Sequence, residues 1–229
     1  MKFLNLQLLS LIDYPAGREN IVLRRLETLE NLDIELGDFI AKGYRGTVFS
    51  GFIKPYDQFT IPVKVAIKFA RSDAGKKHFL LKEARILEYL EPKSIAPVVY
   101  YYDEEVIIME YIEGVPFSFG SFHSKNELLN ILKEIMEKCY ILDKSGVNHS
   151  ELKGEKHIIV SDRGIRFIDF ESARFTGNPR NLLQFLGFHI LRKPERLNFL
   201  GISSNDLRLG IELYKENPSE GFRKILSLF

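Results

Sequence analysis

The sequence predicts an α+β protein of two lobes, and three observations carry that prediction. Between Gly37 and Ile112, short apolar and β-branched runs alternate with turn residues, and only one stretch there has helical periodicity. From Leu128 onward helical periodicity dominates, interrupted by one pair of short strand-like runs. Strands and helices are therefore segregated along the chain rather than alternating, which favours α+β over a parallel sheet.

The elements follow in order. Ile21, Val22, Leu23, Leu26, Leu29 and Leu32 recur at helical spacing, with Arg24, Arg25, Glu27 and Glu30 opposite. They predict one amphipathic helix, preceded by a turn at Pro15 and Gly17. Phe39-Ile40 and Thr47-Val48-Phe49 predict strands around a glycine-bearing turn. Residues 54–62, with Pro55, Asp57 and Pro62, predict a loop, and 62–69 another strand. Phe79, Leu80, Ala84, Ile86, Leu87 and Leu90 form a helical stripe stopped by Pro92. Strands are predicted at 98–102 and 106–111, a helix over 128–142 ended by Gly146, and a hairpin joining 157–160 to 165–168. From Asn181 the chain reads as helical, with breaks near Pro194, residues 201–204 and Pro218. The expected organisation is an N-terminal helical extension (1–36), a strand-rich lobe (37–112) and a helical lobe (113–229).

Composition narrows the function classes. In 229 residues, 45% are hydrophobic and 28% charged, enough for a sizeable core. Lys+Arg is 32 and Asp+Glu 31, so a net charge of +1 gives no indication of a nucleic-acid binder. A single cysteine allows no internal disulfide and fits a reducing, cytoplasmic setting. No apolar run approaches a membrane span, and the N-terminus does not read as a secretory signal.

Five segments carry chemistry. Ile40-Ala41-Lys42-Gly43-Tyr44-Arg45-Gly46-Thr47-Val48 sets two glycines three apart between strands. Such a turn admits a phosphate close to the backbone, and an ordinary β-turn reads the same way. In Val65-Ala66-Ile67-Lys68 a lysine ends an apolar strand. It either snorkels to water or holds phosphates, and the second role needs a carboxylate to orient it. Glu83, fifteen residues on, is the first candidate and Glu88 the second. Ile107-Ile108-Met109-Glu110-Tyr111-Ile112-Glu113-Gly114 suits a connector whose backbone bonds a flat heterocycle, or a strand ending in a turn. His149-Ser150-Glu151-Leu152-Lys153 and the following Gly154-Glu155-Lys156-His157 crowd titratable groups into a loop, which marks a site more often than a solvated turn. Asp169, directly after the apolar run Ile165-Arg166-Phe167-Ile168, either caps a turn or binds a divalent cation.

Taken in order, these segments resemble the parts of the protein kinase superfamily, from about Gly37 to Arg174. Within it, His149-Ser150-Glu151-Leu152 and the short tail are similar to atypical RIO-type and small archaeal serine/threonine kinases. The resemblance implies a two-lobed kinase fold with a reduced helical lobe, using ATP and Mg²⁺ or Mn²⁺. Gly43 and Gly46 would cover the phosphates, and Ile40, Val48 and Ala66 would line the adenine pocket. Lys68, held by Glu83, would contact phosphates. Met109 matches the gatekeeper, and Glu110 and Ile112 would offer backbone groups to adenine. Glu151 would be the catalytic acid/base, Lys153 would steady the transferred group, and Asp169 would hold the metal.

The departures are specific. Ala41 stands for the first loop glycine, and Glu151 for the family's aspartate. Lys156 occupies the position of a metal-binding asparagine, a cation that cannot ligate the metal; His157, Glu155 or neither completes the site, and histidine suits Mn²⁺ better than Mg²⁺. Glu171 replaces the glycine after Asp169-Phe170, removing freedom for positive φ. Only 58 residues follow Glu171 and no A-P-E motif appears, so a minimal lobe is expected. The function implied is a serine/threonine protein kinase with a protein substrate. The alternatives are an ATP-binding pseudokinase or slow ATPase, a small-molecule kinase and an RNA-linked ATPase. The N-terminal helix packs on the strand-rich lobe or binds a partner protein.

Overall fold

Alternating strands need a face to bury, and the N-terminal residues supply the cover. The computed structural model describes residues 6–55, 61–74, 78–122 and 124–229. The chain divides into two compact units, one comprising residues up to Pro92 with Pro97–Ile112, the other Lys93–Ala96 with Glu113–Phe229.

In the first unit, α1 (Leu6–Ile12) and α2 (Glu19–Asn31) are joined by a turn in which Gly17 takes φ 60°. The strands are β1 (Ile34–Lys42), β2 (Gly46–Ile53) and β3 (Val63–Ala70). Then come α3 (Phe79–Leu90), β4 (Val99–Tyr102) and β5 (Val106–Glu110). The sheet is antiparallel throughout, in the order β1-β2-β3-β5-β4. Period-two alternation splits it into two faces. Phe49, Val65, Ile67, Phe69, Val106 and Ile108 form one core with Ile12, Val22 and Leu29 of the two helices. On the other face Ile107 packs with Phe79, Leu80 and Ala84 of α3. Each large side chain buried this way contributes roughly 1.5–3 kcal/mol.

Two expectations for the N-terminus change. The chain forms two helices there rather than one, and the buried stripe of α2 is rotated. Leu23 is 51% exposed, whereas Arg25 is only 4% exposed. The reason is the end of α1, whose carbonyl at Ile12 lacks a helical partner. The Arg25 guanidinium donates to that carbonyl, lies 3.4 Å from Glu105 and sits 5.7 Å from the Phe69 ring centre. The apolar face of α2 is packed on the sheet. The loop expected over 54–62 lies largely outside the described residues.

The second unit opens with β6 (Val115–Pro116) and the long helix α4 (Lys125–Lys144), whose N-cap Ser124 accepts the Glu127 N–H. Leu128, Leu132, Ile135, Met136, Cys139 and Leu142 form its buried stripe, and Gly146 ends it at φ 68°. Next are β7 (Val147–Asn148), β8 (Ile158–Ser161), β9 (Gly164–Phe167) and β10 (Arg174–Phe175). The expected hairpin is present, with Ser161 opposite Gly164 and β6 added alongside β8. Four helices follow: α5 (Asn181–Leu186), α6 (Pro194–Leu200), α7 (Ser204–Glu216) and α8 (Pro218–Leu226). The positions that read as breaks are the starts of these helices. Pro194 and Pro218 sit in the first turn, and Ser203 and Asn217 cap it. The α+β class and the split into strand-rich and helical parts are as the sequence predicts. Among the described residues, no helix is long and apolar enough to cross a membrane.

Candidate active site

The strand-rich unit brings one group of the predicted residues together. Val48 pairs with Lys68 across β2 and β3, and Ala66 pairs with Met109 across β3 and β5. Cross-strand partners share a face, so Val48, Ala66, Lys68 and Met109 lie on the side away from α1 and α2. Lys68 Nζ meets Glu83 Oε2 at 2.7 Å, with Lys68 3% and Glu83 2% exposed. Glu88, the other candidate, faces outward and accepts from the Tyr102 hydroxyl at 3.0 Å. Removing two charges from water is costly, and a buried pair is weak as a stabiliser. Its presence here therefore calls for a use.

The glycine turn sits directly over this pair. The Gly43 N–H donates to the Gly46 carbonyl at 2.8 Å, closing the turn between β1 and β2. A Cβ on Gly46 would lie 2.9 Å from Lys68 Cε and 3.1 Å from its Cγ. A side chain at position 46 would push on the lysine stem that runs beneath the turn. Ile40 is exposed beside an irregularity in β1, and Ile112 is half-buried at the end of the unit. The Glu110 N–H is committed to the Val98 carbonyl at 2.7 Å, so it is not the group Glu110 could offer a ligand.

The helical unit builds the second group around a loop. His149 is fully buried; its Nε2 lies 3.1 Å from the Ile168 carbonyl, and its Nδ1 3.3 Å from the Glu151 amide. A carbonyl demands a donor and an amide an acceptor, so the ring is the neutral Nε2–H tautomer. Burial holds its pKa down to about 4, and the neighbouring His157 adds to the effect. Glu151 has its amide on His149, and its carbonyl accepts from Gly154 N–H and His157 Nδ1, each at 3.0 Å. The backbone of the predicted catalytic acid is fixed on both sides, while its side chain is half-exposed.

His157 donates through Nδ1 to the Glu151 carbonyl, and its Nε2 lies 3.8 Å from Asp169 Oδ2. A backbone acceptor on the far nitrogen is the usual arrangement for a metal-ligating histidine. Two protein donors suit a cation that keeps waters and phosphate oxygens as its other ligands. Among the described residues, no group of three or more His, Cys, Asp or Glu is placed to hold a metal by itself. Glu155 turns elsewhere, with Arg196 at 3.4 Å and His189 at 3.8 Å. Lys153 and Lys156 are exposed. Glu171 is buried in a 3₁₀ turn without positive φ, and Asp169 before it takes φ 65°. Ser150 is a second non-glycine residue at positive φ (75°). Such strained positions persist where surrounding contacts over-determine them.

Those contacts come from residues the sequence reading missed. Asn181 Oδ1 accepts the His149 N–H at 2.8 Å, and its Nδ2 donates to Val147 O and Asp143 Oδ1, both at 2.7 Å. Gln184 brackets Glu151, donating to the Ser150 carbonyl at 3.2 Å and accepting the Leu152 N–H at 3.0 Å. Asp143 also accepts from Asn181 N, Leu182 N and the Tyr214 hydroxyl. Burial raises its pKa, although these hydrogen bonds oppose the rise. A cavity of about 600 Å³ beside Asp143 and Tyr214 has neither Glu151 nor Asp169 in its lining.

The state of His149 makes a prediction. Its folded pKa lies below the ordinary 6.5, so the unfolded chain binds the extra proton first. Stability is fully present above pH ~6.5 and is lost as pH falls toward ~4, by about 3 kcal/mol. Urea melts at intervals across that window check it. His149→Gln, which carries no charge, is expected to flatten the slope.

No model of a known protein family matches the chain. It is 27% identical over 206 residues to NUAK family SNF1-like kinase 1 of Mus musculus and equally to that of Homo sapiens. The match covers 82% of this chain but 30% of each relative, so the chain spans under a third of their length. Over 74 residues it is 28% identical to an uncharacterized protein of Methanocaldococcus jannaschii, covering 32% of this chain and 64% of that protein.

Proposed function

We propose that the chain is an ATP-dependent phosphotransferase of the protein kinase type, moving the γ-phosphoryl group to a hydroxyl of a protein serine or threonine. The observation that carries this is the buried Lys68–Glu83 pair beneath a glycine turn. The resemblance of the ordered motifs and the similarity to a kinase over 82% of the chain support it. Glu83 orients Lys68, and Lys68 holds the α- and β-phosphates. Ile40, Val48 and Ala66 take the adenine, Met109 stands at its edge, and the carbonyl of Glu110 and the backbone of Ile112 bond it. Glu151 accepts the proton of the attacking hydroxyl while the bond from Pγ to the β–γ bridging oxygen breaks, releasing ADP. Lys153 neutralises charge on the moving group. Asp169 and His157 hold a divalent cation. When bound, that cation offsets negative charge on the phosphate oxygens.

The assay is label incorporation from γ-labelled ATP into the protein itself and into casein, with Mg²⁺ and with Mn²⁺. Asp169→Ala is expected to lower incorporation by at least ~10², and equal incorporation would sink the proposal. A second reading, an ATP-binding pseudokinase or slow ATPase, is favoured by the two-donor cation set and by Lys156. ATP binding with no turnover above the Asp169→Ala control would select it.

A further inference from the structure

The N-terminal segment touches the glycine turn as well as the sheet. The Thr47 hydroxyl, fully buried, donates to the Leu11 carbonyl at 2.8 Å. Tyr14 lies between two cations. Lys42 Nζ is 4.5 Å from its ring centre and donates to its hydroxyl at 3.1 Å, and the Arg71 guanidinium carbon is 4.8 Å from the ring centre. The Tyr14 carbonyl accepts from the Ser72 N–H at 2.8 Å and the Ser72 hydroxyl at 3.0 Å, tying it to the turn after β3. Arg71 then reaches the glycine turn. Its Nη1 donates to the Gly43 carbonyl at 2.9 Å and its N–H to the Arg45 carbonyl at 2.7 Å. Asp73 grips the same guanidinium at 2.8 and 2.9 Å, fixing its plane. The turn is therefore fastened at Lys42, Gly43, Arg45 and Thr47 by groups outside it.

We propose that Tyr14 and Arg71 are positioning residues that hold the Gly43–Gly46 turn in its phosphate-receiving shape before any nucleotide arrives. This rests on the nucleotide reading above. A free glycine turn samples many shapes, and a ligand that needs one of them binds more weakly in proportion to that shape's population. The strap removes that loss. It acts mainly on the phosphates, because the adenine-side residues Ile40, Val48, Ala66 and Met109 lie in strands of the sheet.

The experiment uses the full chain with Tyr14→Ala, Tyr14→Phe and Arg71→Gln. Amide hydrogen exchange over residues 42–47 is followed without ligand, and ATP–Mg²⁺ and adenosine are titrated by calorimetry. Tyr14→Ala is expected to speed exchange of the Gly43 amide and to weaken ATP about tenfold, with adenosine within twofold of wild type. Tyr14→Phe, which keeps the ring between the cations, is expected to fall much closer to wild type. Arg71→Gln keeps the Ser72 bonds to the Tyr14 carbonyl and the Thr47 bond to Leu11, and is expected to behave like Tyr14→Ala, so a folding failure of one variant does not decide the matter. Wild-type exchange and a wild-type ratio of ATP to adenosine affinity in both variants overturn the proposal. If the wild-type chain binds neither ligand, the nucleotide reading falls, and the role in receiving phosphates falls with it. Exchange in the variants then tells whether the strap holds the turn at all.

Discussion

Replacing Lys68 by alanine is expected to abolish phosphotransfer and to destabilise the strand-rich unit by about 3–5 kcal/mol. The second effect separates this site from a surface lysine, for which a change near zero is expected. Glu83 sits on α3 among Leu80, Ala84 and Leu87, all nearly without solvent exposure. Without the lysine its buried carboxylate loses the ammonium that meets it at 2.7 Å, and taking that partner from a buried charge is costly. The measurement is chemical denaturation beside label incorporation. The double variant Lys68→Met with Glu83→Leu removes both charges and fills the space. It is expected to recover most of the lost stability and none of the activity. Turnover by the double variant would show that the pair does not serve the chemistry, and a single variant as stable as wild type would show that breaking the buried pair carries no cost.

That pair was legible in the sequence, and the reason is local. A β-strand of alternating apolar residues specifies its own faces, and a helix with a six-residue stripe does the same. Lys68 and Glu83 each interrupt such a stripe on the buried side, which is a signal. Arg25 interrupts a stripe too, yet the helical spacing puts it on the side opposite the apolar residues. Besides Glu105 and Asp13 it meets the carbonyl of Ile12 at the end of α1, and a carbonyl has no side chain to announce it. Leu23 was misassigned with it, because the rotation that buries Arg25 exposes its neighbour.

The loop of the helical unit divides in the same way. His149, Glu151 and His157 are visible because chemistry-bearing residues crowd into a few positions, and Asp169 because it directly follows an apolar strand. Asn181 and Gln184 were not, since a single amide on a helix carries no periodic or compositional mark. Their partners lie more than thirty residues away along the chain. The sequence shows that Glu171 removes the freedom a glycine would have there, but not that Asp169 itself takes positive φ, because glycine substitution is readable and strain at an aspartate is not.

Those unseen residues carry the other large effect. Asn181→Ala is expected to cost roughly 2–5 kcal/mol, since the His149 N–H and the Val147 carbonyl, both fully buried, lose their partner. It is also expected to lower turnover by about 10²-fold, because Glu151 follows His149 and a shift of ~1 Å is enough. Asn181→Asp is the sharper probe. The new carboxylate keeps an acceptor for His149 but stands where Nδ2 met Asp143 Oδ1 at 2.7 Å. Two carboxylates that close share a proton, so one of them titrates well above its ordinary range. A raised folded pKa means that stability is present below it and lost as pH rises through it. The deficit of Asn181→Asp relative to wild type must therefore grow with pH, opposite in sign to the His149 effect. Adding Asp143→Asn supplies an amide donor for the new carboxylate and should remove that pH dependence. The carboxylate still faces the Val147 carbonyl, so rescue of stability is partial. A deficit that is flat in pH, or unrelieved by the second change, would mean that Asn181 fills space without tying the loop to α4.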